Sequence, residues 1–249
     1  MNVSLYQAAA ALNANARWQE LISENLSSAM IPGFKKQELS FSAIEAGMMP
    51  SSVNGTATHF ALPSANASTN FQQGEMKVTS VNTDVAIEGP GFFEVQLPNG
   101  DTAYTRDGEF QFNAQGQLVT KQGYAVLSDG GSIQIDLNNP APISISTTGD
   151  VSQGTDIKGK LKVTNFNDPH LLQNIGNGCY LARDSKLQTV ETPATLKQGY
   201  LEAANTSAAA EMGQLIAAMR SYEANQRIIQ TQDDRMSRAI TELGNPNPV

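Results

Sequence analysis

Between Met212 and Leu243 the chain carries a stripe that decides how this stretch can fold. Met212, Leu215, Met219, Tyr222, Gln226, Ile229, Asp233, Met236, Ile240 and Leu243 lie alternately three and four residues apart. Eight of these ten are apolar or aromatic, which is the narrow a/d seam of a coiled coil. Arg220, Glu223, Arg227, Asp234, Arg235 and Arg238 flank it with charge. Such a helix leaves its stripe in water unless another helix lies along it. Most stripes of this kind belong to the core of a globular domain. Two details point away from that. The helix runs almost to the end of the chain, and Gln226 and Asp233 interrupt the seam, as polar residues do where register and partner number are specified.

The first thirty residues predict a second helix. Leu5, Leu12, Gln19 and Leu26 fall seven apart, with Ala8, Asn15 and Ile22 at the alternate seam positions. Alanines at 8–11, 14 and 16 favour helix and close approach. Pro32 lacks a backbone donor and biases Ile31 out of the helical region, and Gly33 supplies a turn. Pro32 and Gly33 are therefore expected to set the angle at which the chain leaves this helix. Phe34 offers an anchor beside Asn25 and Leu26 of the last turns, and Lys35 and Lys36 follow it. Two seams at opposite ends of the sequence can cover each other only if the middle is an insertion between them.

The middle reads in two parts. From 42 to 73 Ser, Thr, Asn, Ala, Gly and Pro dominate and no period survives, which predicts an extended connector with at most short strand pieces. From 74 to 204 short alternating runs are punctuated by turn residues. Phe92–Leu97 is followed by Asn99-Gly100, a two-residue hairpin signal, and Thr102–Thr105 returns. The division expected is an N-terminal helical segment over 1–41, the connector, a central antiparallel β domain over 74–204, and a C-terminal heptad helix over 205–249. The fold class is α+β: long terminal coiled-coil helices flanking an all-β centre.

Composition narrows the function. A net charge of −8 argues against nucleic acid, which demands basic patches. No run approaches the length of a transmembrane span, so direct membrane insertion is not expected, and the N-terminus lacks the pattern of a secretory signal. The single cysteine, Cys179, excludes an intramolecular disulfide and reads as a small buried residue. His59 and His170 have no Cys or His at metal-ligand spacing, and no phosphate-binding glycine loop occurs, so no metal and no cofactor is expected. Arg106-Asp107-Gly108 is ordinary turn chemistry before it is an adhesion motif, and Asp84 and Asp107 read as turn or capping carboxylates. Nothing reads as catalytic, so the chain is not expected to be an enzyme. The alternative to a structural subunit is a surface β-domain adhesin or binding module held together by a coiled coil.

Four stretches carry a resemblance. Asn25-Leu26-Ser27-Ser28-Ala29-Met30-Ile31-Pro32-Gly33-Phe34-Lys35 resembles the signature that closes the first helix of bacterial flagellar rod and hook proteins. Asp84–Phe93 resembles that family's entry into its β domain. Tyr104–Phe110 and Gln198–Asn205 are further matches, in the right order along nearly the whole chain. Ser28 and Ile31 depart from the usual Asn and Thr. The span from Phe34 to Asp84 is shorter than the connector of distal rod proteins, which favours a proximal rod protein. The resemblance implies a structural subunit of the basal-body rod, exported by the flagellar type III apparatus to the periplasm and packed through its terminal helices against itself and other axial proteins. The expected assembly residues are Leu5, Leu12, Ile22, Asn25, Leu26, Pro32, Gly33, Phe34, Leu215, Met219, Tyr222, Gln226, Ile229, Asp233, Met236, Ile240 and Leu243.

Overall fold

The computed structural model describes residues 3–49, 58–190 and 194–244, and within these it leaves the side chains of residues 3–5 (Leu5 among them), 44–49, 58–62 and 243–244 (Leu243 among them) outside the description. Helix α1 spans Val3–Ser28 and helix α2 Ala208–Gly244. Helix α1 stops as the sequence predicts: the Ile31 N–H closes a last turn on the Ser28 carbonyl at 3.0 Å, and Gly33 then takes a φ of 67°.

The first difference from expectation lies in the connector. Strand β1 (Gln37–Met49) and strand β2 (Thr58–Thr69) form a two-stranded sheet of long strands. The sequence hides them because the side chains described show no single buried face: Phe41, Ser42 and Ala43 are exposed in succession. Where no face is buried there is no period of two to read.

The central region is antiparallel. It holds β3 (Met76–Val78), β4 (Val85–Glu88), β5 (Phe92–Gln96), β6 (Thr102–Thr105), β7 (Phe110–Phe112), β8 (Leu118–Thr120) and β9 (Ala125–Ser128). The main sheet runs Gln173–Gly176, Cys179–Leu181, β6, β5, β9, β8, β7 in spatial order. The β5–β6 hairpin turns at Asn99-Gly100, where Gly100 has a φ of 89°, and pairs Val95 with Ala103. Phe93, Val95, Ala103, Leu118, Val126, Ile133 and Val151 fill one core, with the Phe93 and Phe110 rings edge to face at 5.0 Å. Phe92, Phe166, Leu172 and Tyr180 fill a second. The last strands return to the first: Thr195–Gln198 pairs with β4, and Tyr200–Glu202 pairs with β3, setting Glu202 opposite Met76.

By contacts the chain forms two units. One comprises Met1–Leu26, Gln37–Ser68 and Ala208–Val249; the other comprises Ser27–Lys36 and Thr69–Ser207. The Pro-Gly-Phe-Lys stretch thus belongs to the β unit, and the β1–β2 ribbon to the helical one.

Candidate functional site

In the helical unit the two long helices run antiparallel. Asn15 Nδ2 donates to Ser221 Oγ at 3.1 Å and Asn25 Nδ2 to Glu211 Oε2 at 3.5 Å, so rising numbers on α1 meet falling numbers on α2. Asn25 also brackets the backbone of Gln37, accepting from its N–H at 2.9 Å and donating to its carbonyl at 2.8 Å. The covered face of α2 is Glu211, Leu215, Ala218, Ser221, Asn225, Ile229 and Gln232. On α1, Ala8, Ala14, Asn15, Leu21, Ile22 and Asn25 are buried.

This face is small and polar, and it shares only part of the predicted seam. Leu215 and Ile229 are half-buried, as are Leu12 and Leu26 on α1, while Ile22 and Asn25 are buried. Met219, Tyr222, Gln226, Asp233, Met236 and Ile240 are exposed, Met219 to 51% and Ile240 to 66%. Met212 and Ile216 lie exposed on the same outer side as Met219. Half of each heptad is therefore displaced by one residue: α2 turns amide, hydroxyl and alanine inward beside Leu215 and Ile229, and turns Met212, Ile216, Met219 and Ile240 outward.

The β unit holds a second constellation. The Gly33 N–H donates to the Glu202 carbonyl at 2.6 Å, and Phe34 is buried beside it. Pro32 is half-buried. The Glu202 carboxylate lies between two cations. Lys35 Nζ donates to Glu202 Oε1 and, at 2.7 Å, to the Gln72 carbonyl; Arg106 Nη1 donates to Glu202 Oε2 at 3.2 Å. The Gly74 N–H donates to the same Oε1 at 2.8 Å. Lys35 and Glu202 are 1% exposed and Arg106 6%. Arg106 also donates from Nη2 to the Gly89 carbonyl at 2.7 Å, and its guanidinium sits 5.4 Å from the Phe92 ring centre. Burial holds the Lys35 ammonium below its usual pKa range, against the pull of Glu202, and lowers Arg106 in the same way. With two cations and one carboxylate, both Glu202 oxygens accept hydrogen bonds, whereas the buried Arg106 Nε makes none.

Asn205 ties the margins of this cluster. Its N–H donates to the Phe34 carbonyl at 3.2 Å, its Oδ1 accepts from the Lys36 N–H at 2.7 Å, and its Nδ2 donates to the Asn70 carbonyl at 2.7 Å. The Asn70 N–H returns to the Lys36 carbonyl at 2.9 Å. Sequence reasoning missed Lys35, Arg106, Glu202 and Asn205 as a set. Each lies inside a stretch that carries the resemblance, which was the available signal. Burial also removes Arg106 from any adhesive surface.

Asp107 is buried beside Arg106, with its Oδ1 accepting from the Glu109 N–H at 2.9 Å, the turn role expected of it. Burial pushes its carboxyl up to about 6 from 3.8, with the Glu109 N–H opposing. The folded chain then holds this proton more tightly than the unfolded chain, so stability falls as pH rises from 3.8 to about 6 and is level above. Asp107→Asn is expected to match the parent near the lower limit and to exceed it at neutral pH, by up to roughly 2–3 kcal/mol. Melting midpoints across that range check this; a parent-like slope in the variant refutes it.

Among the described residues no cluster of His, Cys, Asp or Glu is built to hold a metal ion. Residues 86–153 match the family described as flagellar hook protein FlgE/F/G D1 domain, and residues 197–242 match the flagellar basal body rod FlgEFG protein C-terminal family. The chain is 31% identical to the flagellar basal-body rod protein FlgG of Buchnera aphidicola subsp. Schizaphis graminum, over 96% of this chain and 99% of that one. It is 33% identical to the FlgG of Borreliella burgdorferi, over 94% and 96%. It is 32% identical to the flagellar basal-body rod protein FlgF of Caulobacter vibrioides, over 92% of each.

Proposed function

The chain belongs to the flagellar basal-body rod and hook family, and from that premise we propose how it serves as a structural subunit of the rod: its terminal helices are the surface through which it joins neighbouring subunits. The polarity of the helix pair carries this reading. A self-sufficient helical hairpin buries its large apolar residues and exposes its polar ones. Here Asn15, Asn25 and Glu211 are inside, whereas Met212, Ile216, Met219 and Ile240 are outside. Subunits of the same kind, and other axial proteins of the rod and hook, cover that outer stripe in the periplasm after export by the flagellar type III apparatus. Met219, Tyr222, Gln226, Asp233, Met236 and Ile240 face neighbours. Ile22, Asn25, Gly33 and Phe34 act within the chain, fixing the parts that carry those faces. The short span from Phe34 to Asp84 supports a place in the proximal part of the rod.

Ile216→Asp tests the reading. Ile216 is 54% exposed, so its replacement leaves the folded chain almost untouched. In an assembled rod the change loses on the order of 1.5–3 kcal/mol of apolar burial and adds the desolvation of a carboxylate. The purified variant is expected to melt like the parent, while cells carrying only the variant build no rod and do not swim. Normal swimming by those cells would sink the reading.

A further inference from the structure

Two methionines stand on the outer stripe of α2. The chain has eight methionines, and Met212, Met219 and Met236 lie on α2. Met212 is 53% exposed and Met219 51%, each more open than Met236. Met212 and Met219 are two helical turns apart, so both thioethers lie on one line of the helix, with exposed Ile216 between them.

We propose that Met212 and Met219 form a peroxide-reactive modification site, and that oxygen transfer to these sulfurs keeps the chain out of its assembly. The proposal rests on the outer stripe being the surface that neighbours cover. In the step, a thioether lone pair attacks one oxygen of a hydroperoxide. The O–O bond breaks and an S–O bond forms; sulfur is oxidised by two electrons, and the other peroxide oxygen leaves as water or alcohol after taking a proton. The product is a sulfoxide, polar and a hydrogen-bond acceptor, on the side chains that packing would desolvate. An apolar line thereby becomes one that resists burial.

The chain offers the oxidant little competition from its thiol. Cys179 is the single cysteine, buried to 3% exposure, and burial pushes it up to about 11, so thiolate is scarce at neutral pH. Met30 is more exposed still, at 93%, but it lies past the end of α1 and off the stripe. It serves as an internal standard: its sulfoxide reports the dose without lying on the α2 line. The modification is reversible, since thioethers are restored by sulfoxide reductases acting on each epimer. Assembly itself would close the site, because sulfurs packed against a neighbour are out of reach of peroxide.

The test uses the full-length chain and hydrogen peroxide at limiting dose. Peptide mass spectrometry reads sulfoxide at each methionine, and sedimentation over a concentration series reads self-association. Sulfoxide is expected at Met30, Met212 and Met219 ahead of half-buried Met76. Association is expected to weaken roughly tenfold or more and to return after treatment with both sulfoxide reductases. The M212L/M219L variant keeps the apolar line, and the same dose is expected to leave its association unchanged although its Met30 is oxidised. Treated M212L/M219L as impaired as the treated parent, or Met212 and Met219 reacting no faster than Met76, overturns the proposal alone. An untreated chain that stays monomeric at every concentration tells against the reading of the helices themselves, and the proposal falls with it.

Discussion

Glu202→Ala is expected to lower the melting midpoint of the β unit steeply, so that it unfolds at temperatures where the parent is folded. The carboxylate is the anion that Lys35 and Arg106 share, and its removal leaves both cations buried without that counter-charge. Breaking a buried pair from one side costs on the order of 3–5 kcal/mol, and the Gly74 N–H, which loses its acceptor, adds about 1–3. That is about half of the stability of a domain in the middle of the usual range of roughly 5–15 kcal/mol, and all of it for one at the lower end. Lys35→Met is expected to cost clearly less, because it leaves Glu202 and Arg106 as a one-to-one pair. Denaturant melts of the two single variants and the double variant measure the coupling. Equal stability of Glu202→Ala and the parent would show that the cluster contributes nothing.

Gly33→Val is expected to be comparably severe by a different route. A Cβ on Gly33 would stand 2.3 Å from the Arg106 carbonyl carbon and oxygen, and the φ of 67° is closed to a β-branched residue. Backbone cannot yield as a side-chain tip does, so the stretch from Pro32 to Lys35 has to leave its seat. Phe34 then loses its burial and Glu202 loses Lys35. From sequence alone, Gly33 was expected to matter for the exit from α1, and hence for assembly more than for the β domain. Because the residue is part of the β unit, stability and assembly fall together. Gly89→Ala is the control: its φ of 100° imposes strain, but nothing lies within 4 Å of the added carbon. It should cost only about 1–3 kcal/mol, so melting separates clash from strain. A Gly33→Val chain that melts like Gly89→Ala would refute the steric argument.

What could be read from the residues was set by how local the signal is. The two helices, the stop at Pro32-Gly33 and the Asn99-Gly100 hairpin depend on near neighbours, and all are present. The inner register of the helix pair was half legible. The predicted seam and the covered face share Leu215 and Ile229 and differ by one residue at the other positions. Hydrophobicity selects Met212, Met219 and Ile240; the chain packs Glu211, Ala218 and Asn225 instead. The apolar pattern recorded the exposed face of α2 rather than the face closed within the chain. The Lys35–Glu202–Arg106 cluster was not legible, because its ion pairs join residues 167 and 96 positions apart. No spacing rule reaches that far.

The bonds around Asn205 have a mechanical consequence. The β unit receives the chain at Ser27 and Thr69 and releases it at Lys36 and Ser207. Near three of those ends, Phe34, Lys36, Asn70 and Asn205 are stitched crosswise by hydrogen bonds. A pull on any one of those three ends is therefore passed through these bonds to the other two. A subunit of a turning shaft wired in this way spreads torque over several backbone paths at the root of its β unit.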